Sequence, residues 1–286
     1  MEIRSEREVS YRNFSPKVWA KQINRELERS MVFAEDCNRQ YEGDVKQMGD
    51  TVKVLGVGKP TITKQTGGSI ILKDPEAVED TSVDMVINHV AYFNYLVDDI
   101  DRRQAVGGLM DALSAESSEG TANAMDEDIA DLAGTPDAPK LFKSTEAITA
   151  ENILKTIDKG VQVLMEHDVK RETKIIITIP PWFLTIFRQA YVHLDTNNSA
   201  MLKNGWIGQY DNVIVKMSNN CHRNSDNGHD IMLRTQRAVA FANPLTHVEP
   251  YRPEKRFADA VKGFVLYGTK IVRPKELIVL NVKEGT

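Results

Sequence analysis

What this chain lacks narrows its function before any motif is considered. Its 286 residues carry 36 Lys and Arg against 41 Asp and Glu, a formal net charge of -5, so the molecule has no overall cationic field and a general nucleic-acid-coating role is disfavoured. Cysteine is scarce. Cys37 and Cys221 are the two in the chain, and neither belongs to a C-x-x-C pair, which excludes a disulfide framework and reads as a protein made in a reducing compartment. The apolar runs are short, as at Ile175 to Ile177, and the opening MEIRSEREVSYRNF has no hydrophobic core of a signal sequence, so neither secretion nor a membrane partner is expected. A repeat of fixed period is missing too, which removes solenoids and propellers. What is present is an ordinary globular composition, 41% hydrophobic and 27% charged, long enough for about two domains and able to bury roughly 75% of its unfolded surface without staples.

A helix is predicted from about Pro16 to Ala34, with Ser15 as N-cap, Pro16 at the first helical position and Phe14 stapling against Trp19. Trp19, Ile23, Leu27 and Met31 recur every four residues among charges, a narrow apolar stripe that needs a partner surface. β-structure is expected within Asp44 to Val57 and, more strongly, over the fifteen residues Val83 to Val97, which hold no Gly or Pro. Gly58, Pro60, Gly67, Gly68 and Pro75 lie between them, so the economical reading is a long antiparallel hairpin with an elaborated tip. A ribbon of this kind is marginal alone in water. It must pack on its own protein or on a neighbour, and the residues leave both open.

Two helical sets follow, Ala105 to Leu113 and Ala122 to Ala133, with Gly107 and Gly108 softening the first and Ser114 to Gly120 expected to break it from the second. Asp111 to Pro139 holds eight acidic residues and no Lys or Arg. A solvated face is the simple reading, and a surface that repels polyanions the sharper one. Beyond it, a helix lined by Ile153, Ile157 and Leu164 and capped by Thr149, a continuously apolar strand at Lys174 to Ile179, and a helix with Phe183, Phe187 and Ala190 describe an α/β layer. Short strands are expected at Asn212 to Met217, Ile231 to Arg234, Ala238 to Ala242, Phe257 to Tyr267, Lys270 to Val272 and Ile278 to Val282, with Pro244, Pro250 and Pro253 marking a boundary between lobes.

No reaction emerges from these residues. Gly56-Val57-Gly58-Lys59-Pro60 fails as a phosphate loop because Lys53 stands where the first glycine belongs and Pro60 where Ser or Thr should meet magnesium. NNCHRNSDNGHD gathers Cys221, His222, Asp226, His229 and Asp230, but no zinc spacing fits and a polar turn explains it. His89 reads as a packed or interface residue. Asp98, Asp99 and Asp101 beside Arg102 and Arg103 could hold magnesium, although acids where a strand gives way to a helix are commonplace. No catalytic, cofactor-binding or metal residues are therefore assigned, no cofactor is expected, and the chain is read as not an enzyme.

Four co-linear segments carry a resemblance. Trp19 to Val54, with its Asn38, Tyr41, Glu42, Gly43 and Gly49-Asp50-Thr51-Val52 pattern, resembles the N-terminal arm and extended loop of the major capsid proteins of tailed bacteriophages, the Hong Kong 97-type fold. DDIDRRQA (Asp98 to Ala105) is similar to the family's passage into the spine helix, Asn204 to Asn219 to its axial-domain signature, and Phe257 to Leu280 to its closing strands. The resemblance implies an α+β chain with an N-terminal arm (1–40), an extended β-hairpin loop (41–97), a peripheral domain with a long spine helix (98–140), an α/β axial domain (141–245) and closing strands returning to the peripheral domain (246–286). It implies self-assembly into hexamers and pentamers of an icosahedral head enclosing double-stranded DNA, located in the virion capsid and assembled in the bacterial host cytoplasm. The implied partners are other copies, a portal, possible decoration proteins and a scaffolding protein, separate because no coiled-coil preface precedes the arm.

Contact with packaged DNA should be weak and non-specific, since a wall that held a polymer charged about every 1.7 Å would obstruct filling and release. Asp111, Glu116, Glu119, Asp126, Glu127, Asp128 and Asp131 are therefore expected to face the lumen. Gly107 and Gly108 are expected to let the spine bend during maturation. Some members crosslink a Lys to an Asn; Lys46, Lys53, Lys59 and Lys64 lie in the loop region, none matches that role, and no crosslink is expected. An encapsulin-type nanocompartment is the alternative within the fold. A cytosolic α/β hydrolase using Asp98, Asp99 or the Cys221 loop is the alternative from another class.

Overall fold

The computed structural model describes residues 31–40, 49–54, 64, 82–98, 109–193, 208–255 and 258–285. In chain order the strands are β1 (Thr51–Val54), β2 (Val83–Val86), β3 (His89–Asp98), β4 (Glu146–Ile148), β5 (Ile175–Ile179), β6 (Gln209–Tyr210), β7 (Val213–Met217), β8 (His222–Arg223), β9 (His229–Thr235), β10 (Val239–Tyr251), β11 (Ala258–Ile271) and β12 (Leu277–Glu284). The helices are α1 (Leu109–Asp131), α2 (Ile153–Glu166) and α3 (Pro181–His193).

Strand β5, with the sequence IIITI, is buried at every position, as a strand covered on both faces must be. It sits centrally in a mixed sheet of order β4-β12-β9-β5-β7-β6, with β8 paired to β9. One face carries α2 and α3, whose Ile153, Ile157, Leu164, Phe183 and Phe187 pack with Ile175, Ile177, Leu233 and Leu280. Gly160 permits the approach: a methyl there would lie 2.8 Å from Leu233 Cδ2. Against the other face lie the C-terminal half of α1 and the 3-10 turn after it, where Met125, Ile129 and Ala133 share a core with Met232, Leu277 and Val279.

Three antiparallel strands in the order β10-β11-β3 form a second sheet. Its inner face contributes Val265, Tyr267 and Ala91 to the same core under α1. The short ribbon β1–β2 pairs Thr51 with Val86 and Val54 with Val83, burying Val52 and Met85 against Ala240, Ala242 and Leu266.

Several expectations need correction. Val83 to Val97 is not one strand: the chain leaves β1 and joins β11 after Ile87, which is fully buried and fits because Gly268 leaves room for its Cδ1. Ser114 to Gly120 does not break a helix. It lies inside α1, where the hydroxyls of Ser117, Ser118 and Thr121 donate to carbonyls four residues back, so groups that usually compete with a helix are satisfied within it. The first helix does not reach Ala34, since Ala34–Asp36 form a 3-10 turn; its earlier residues, with Trp19, Ile23 and Leu27, lie outside the described residues.

Helix α2 begins after Asn152, whose Oδ1 accepts from the Thr149 main chain, so Thr149 is part of the turn and its side chain is not the cap. Strand β10 runs through Pro244 and Pro250, with a register shift between Ala242 and Leu245; an edge strand tolerates missing donors. The predicted runs Phe257 to Tyr267 and Lys270 to Val272 merge into β11. A division at 245/246 would cut β10, and β12 pairs with β9 and β4 in the larger sheet.

Candidate assembly surfaces

Strands β8 and β9 bring His222 into register with Asp230, but the side chains singled out for chemistry take separate partners. Cys221 is buried, its thiol pushed up to about 12 by burial and directed at the carbonyls of Thr178 and Ser218. His222 meets Asp131 at 2.7 Å, Asp226 accepts from Thr145, and Asp230 pairs with Lys140 at 3.1 Å. His229 accepts the Trp182 indole N–H at 3.1 Å, and burial together with Arg223 keeps its pKa below the usual value. Among the described residues no group of three His, Cys, Asp or Glu could hold a metal, and no helix is long and apolar enough to cross a membrane. Asp98 ends β3, while Asp99, Asp101, Arg102, Arg103, Gly107, Gly108, Lys46 and the Gly56–Pro60 loop lie outside the described residues. Lys53 and Lys64 are exposed.

The acidic helix divides its carboxylates. Glu116, Glu119 and Glu127 are exposed on one stripe of α1. Asp131 is exposed as well, but the expectation of a uniformly solvated row fails for Asp126 and Asp128. Asp126 is buried and accepts from the main-chain N–H groups of Val32, Phe33 and Ala34; burial outweighs those bonds and holds its carboxyl above the ordinary range. Asp128 accepts from the Tyr267 hydroxyl and meets His89 at 2.9 Å; the half-buried His89 ring lies 5.4 Å from that of Tyr267. Burial and the Asp128 carboxylate push the Tyr267 hydroxyl upward. The side chain of Asp111 lies outside the described residues.

Sequence reasoning missed the docking of residues 31–40, a strap across both sheets. Arg234, fully buried, donates to the carbonyls of Asp36 at 2.7 Å and Phe33 at 2.9 Å. Lys216 reaches Glu35 at 2.7 Å and Asp36 at 2.8 Å; burial opposes its charge, but the two carboxylates prevail and raise its pKa. Asn38 exchanges main-chain bonds with Val239 and Phe241 on the edge of β10. All of these partners of the strap lie some ninety or more residues away in sequence, so no local pattern signals it.

The remaining surface is apolar. From His89 to Leu96 in β3, even-numbered residues are exposed and odd-numbered ones half-buried, as strand alternation requires. The outward set includes Val90 at 41% exposure, Tyr92 at 80% and Leu96 at 38%. Across the strands stand half-buried Phe264, beside Tyr92 in register, and His247, whose ring lies 5.7 Å from Phe264. Tyr251 completes the face, donating to Asn94 at 3.1 Å with the Lys262 ammonium 5.2 Å from its ring centroid. Large apolar groups left in water on one sheet face mark an interaction surface more often than chance placement.

No protein-family model matches the chain, and no curated protein does. Solved structures do. One from Mycobacterium phage Che8 is 26% identical with a TM-score of 0.72, covering 87% of this chain and 90% of that one. The capsid structure of the cyanophage P-SCSP1u is 12% identical with a TM-score of 0.69 and covers 89% of each chain. A virus-like particle from Pyrococcus furiosus is 10% identical with a TM-score of 0.58, covering 92% of this chain and 98% of that one. The mixed helix-and-sheet architecture, the long α1 and the co-linear coverage agree: the chain has the Hong Kong 97-type fold of phage major capsid proteins.

Proposed function

We propose that this chain is the structural subunit of a phage head, self-assembling into hexamers and pentamers that close an icosahedral shell around double-stranded DNA in the virion. One observation carries the reading beyond the fold: the solvent face of β3 leaves Val90, Tyr92 and Leu96 uncovered, apolar area that a second copy would remove from water. Many modest contacts of this kind, repeated by symmetry, suffice to close a shell. The role is structural, and the loop holding Cys221, His222 and His229 serves packing.

In this reading residues 1–40 act as the arm, 41–97 as the extended loop, 98–140 as the spine region, and the larger sheet as the axial domain, which recruits β12 from the closing segment. Scaffolding and portal proteins, with possible decoration proteins, are the further partners. Assembly would occur in the bacterial host cytoplasm. Glu116, Glu119 and Glu127 would face the lumen and keep DNA contact weak, since exposed carboxylates repel phosphate.

Electron microscopy of the purified chain tests the proposal. Closed shells of uniform diameter are expected, and a protein that stays a single copy at all concentrations and ionic strengths overturns it. A nanocompartment is the second reading, favoured by the likeness to the Pyrococcus furiosus particle over 92% of this chain. Nuclease-protected DNA in shells from infected cells supports the first reading; protected protein cargo without DNA supports the second.

A further inference from the structure

The strap is gripped by two buried charges of opposite sign, each speaking to main-chain atoms. Asp126, 1% exposed, gathers three successive N–H groups: Val32 at 2.6 Å on Oδ2, then Phe33 at 3.0 Å and Ala34 at 3.1 Å on Oδ1. Arg234 takes the complementary polarity, its Nη2 on the Phe33 carbonyl and its Nη1 on that of Asp36. Three consecutive N–H groups converge on one carboxylate only where the backbone turns, and Ala34–Asp36 supply that turn.

As a device for stability alone this is a poor choice. Buried charges lose hydration, and apolar replacements of similar volume are often neutral or better. What such a pair supplies is direction, because charge-assisted bonds hold their partners to a narrow geometry. The grip also joins separate elements: Asp126 belongs to α1, Arg234 to β9, Lys216 to β7, and the Asn38 bridge to β10 of the other sheet. Side chains of the strap then lock in place, with Phe33, Ala34 and Cys37 in the core shared by both sheets.

We infer that Asp126 and Arg234 are positioning residues for self-assembly: they fix the place and direction of the strap at residues 32–36, which continues the segment that the shell reading makes the assembly arm. This rests on the shell reading above. Because the grip is on main-chain atoms, it tolerates changes at Val32 and fails on loss of the carboxylate.

The test compares Asp126→Ala, Asp126→Asn and Arg234→Met in the full chain, with Ser118→Ala, a buried change on the same helix, as control. Amide exchange at residues 32–34 and tryptic cleavage after Arg39 report the strap, and electron microscopy reports shells. Asp126→Ala should speed exchange at 32–34 by roughly tenfold or more, the factor that charge-assisted hydrogen bonds carry, with α1 amides unchanged and closed shells lost. Asp126→Asn keeps one acceptor oxygen and should recover part of both; it also keeps the test readable if the Ala variant does not fold. Wild-type shells together with unchanged exchange in Asp126→Ala and Asp126→Asn, or a released strap with normal shells, overturn the positioning role alone. A wild-type chain that never assembles overturns the shell reading itself.

Discussion

The two larger sheets use the same residue types to opposite ends. In the mixed sheet, β5 is buried on both faces, α2 and α3 covering one and α1 with the strap the other. In the three-stranded sheet, α1 covers one face, β1–β2 covers the Leu266 end of the other, and Tyr92 on that second face stands 80% exposed. The first is finished within a single chain, the second half-finished. Burial within the subunit should therefore set the stability of the mixed sheet, whereas the value of the outer face of β3 should appear only between subunits. Substitutions in the two sheets ought to separate folding from assembly.

The largest expected effect lies in the finished sheet. Phe187 is fully buried between α3 and the sheet, its ring edge-on to Tyr210 at 5.9 Å, and Phe187→Ala should cost about 3–5 kcal/mol through lost transfer energy and the cavity left behind. Denaturant unfolding of the subunit measures it, and a loss below about 1 kcal/mol would contradict a rigid two-sided core. Next comes Gly160→Ala. On an exposed helix face this change would stabilise by about 0.5–1 kcal/mol. Here the new methyl meets Leu233 and Leu280, both fully buried, so destabilisation by about 1–3 kcal/mol is expected, and the sign of the change in the same unfolding assay decides between the two.

The contrast between the sheets was partly readable in advance. An unbroken run such as IIITI announces two-sided burial, and Phe183 and Phe187 at helical spacing announce α3. The change of partner between β2 and β3 could not be read, because the alternation of inward and outward residues continues in phase from Met85 through Ile87 to Tyr95; a strand that switches sheets without slipping a residue leaves no mark in its pattern. Helix α1 was obscured by serines, a threonine and a glycine of low helical propensity; the hydroxyls of Ser117, Ser118 and Thr121 bond back into the helix, and Gly120 lies on its exposed side. Asp126 was hidden among like neighbours. Its role depends on a strap 92 to 94 residues away, beyond any local signal, and the same row of acids suggested a surface where the fold had placed an anchor.

The strap adds a pH dependence to the covered side of this comparison. Burial raises the Asp126 carboxyl despite its three main-chain bonds and the nearby Arg234. A folded value above the unfolded one favours the native state most below the ordinary carboxylate range, and that contribution is lost as the pH rises through the folded value. Asp126→Asn removes the titration. The denaturation midpoint of the wild type relative to this variant should thus move in the wild type's favour as the pH falls from 7 toward 4, and a constant offset across that range would contradict the buried charge.

The smallest effect on the subunit should be the most telling for the unfinished sheet. Tyr92 pairs in register with Phe264 but projects into solvent, and Leu96 lies two pleat repeats further along the same face. Replacing both with Ser removes exposed apolar area, and exposed positions away from caps, cores and buried pairs usually change stability by no more than about 0.5 kcal/mol. Were that face idle, assembly too would be indifferent to the change. If instead a second copy covers it, the double variant loses buried area at every symmetry-related contact at once, and repetition turns a modest local loss into failure to close a shell. Unchanged unfolding of the subunit with shells absent by electron microscopy is the expected pair of results. Normal shells would mean that neighbouring copies meet elsewhere, and a subunit that unfolds would mean that β3 is covered by its own chain after all.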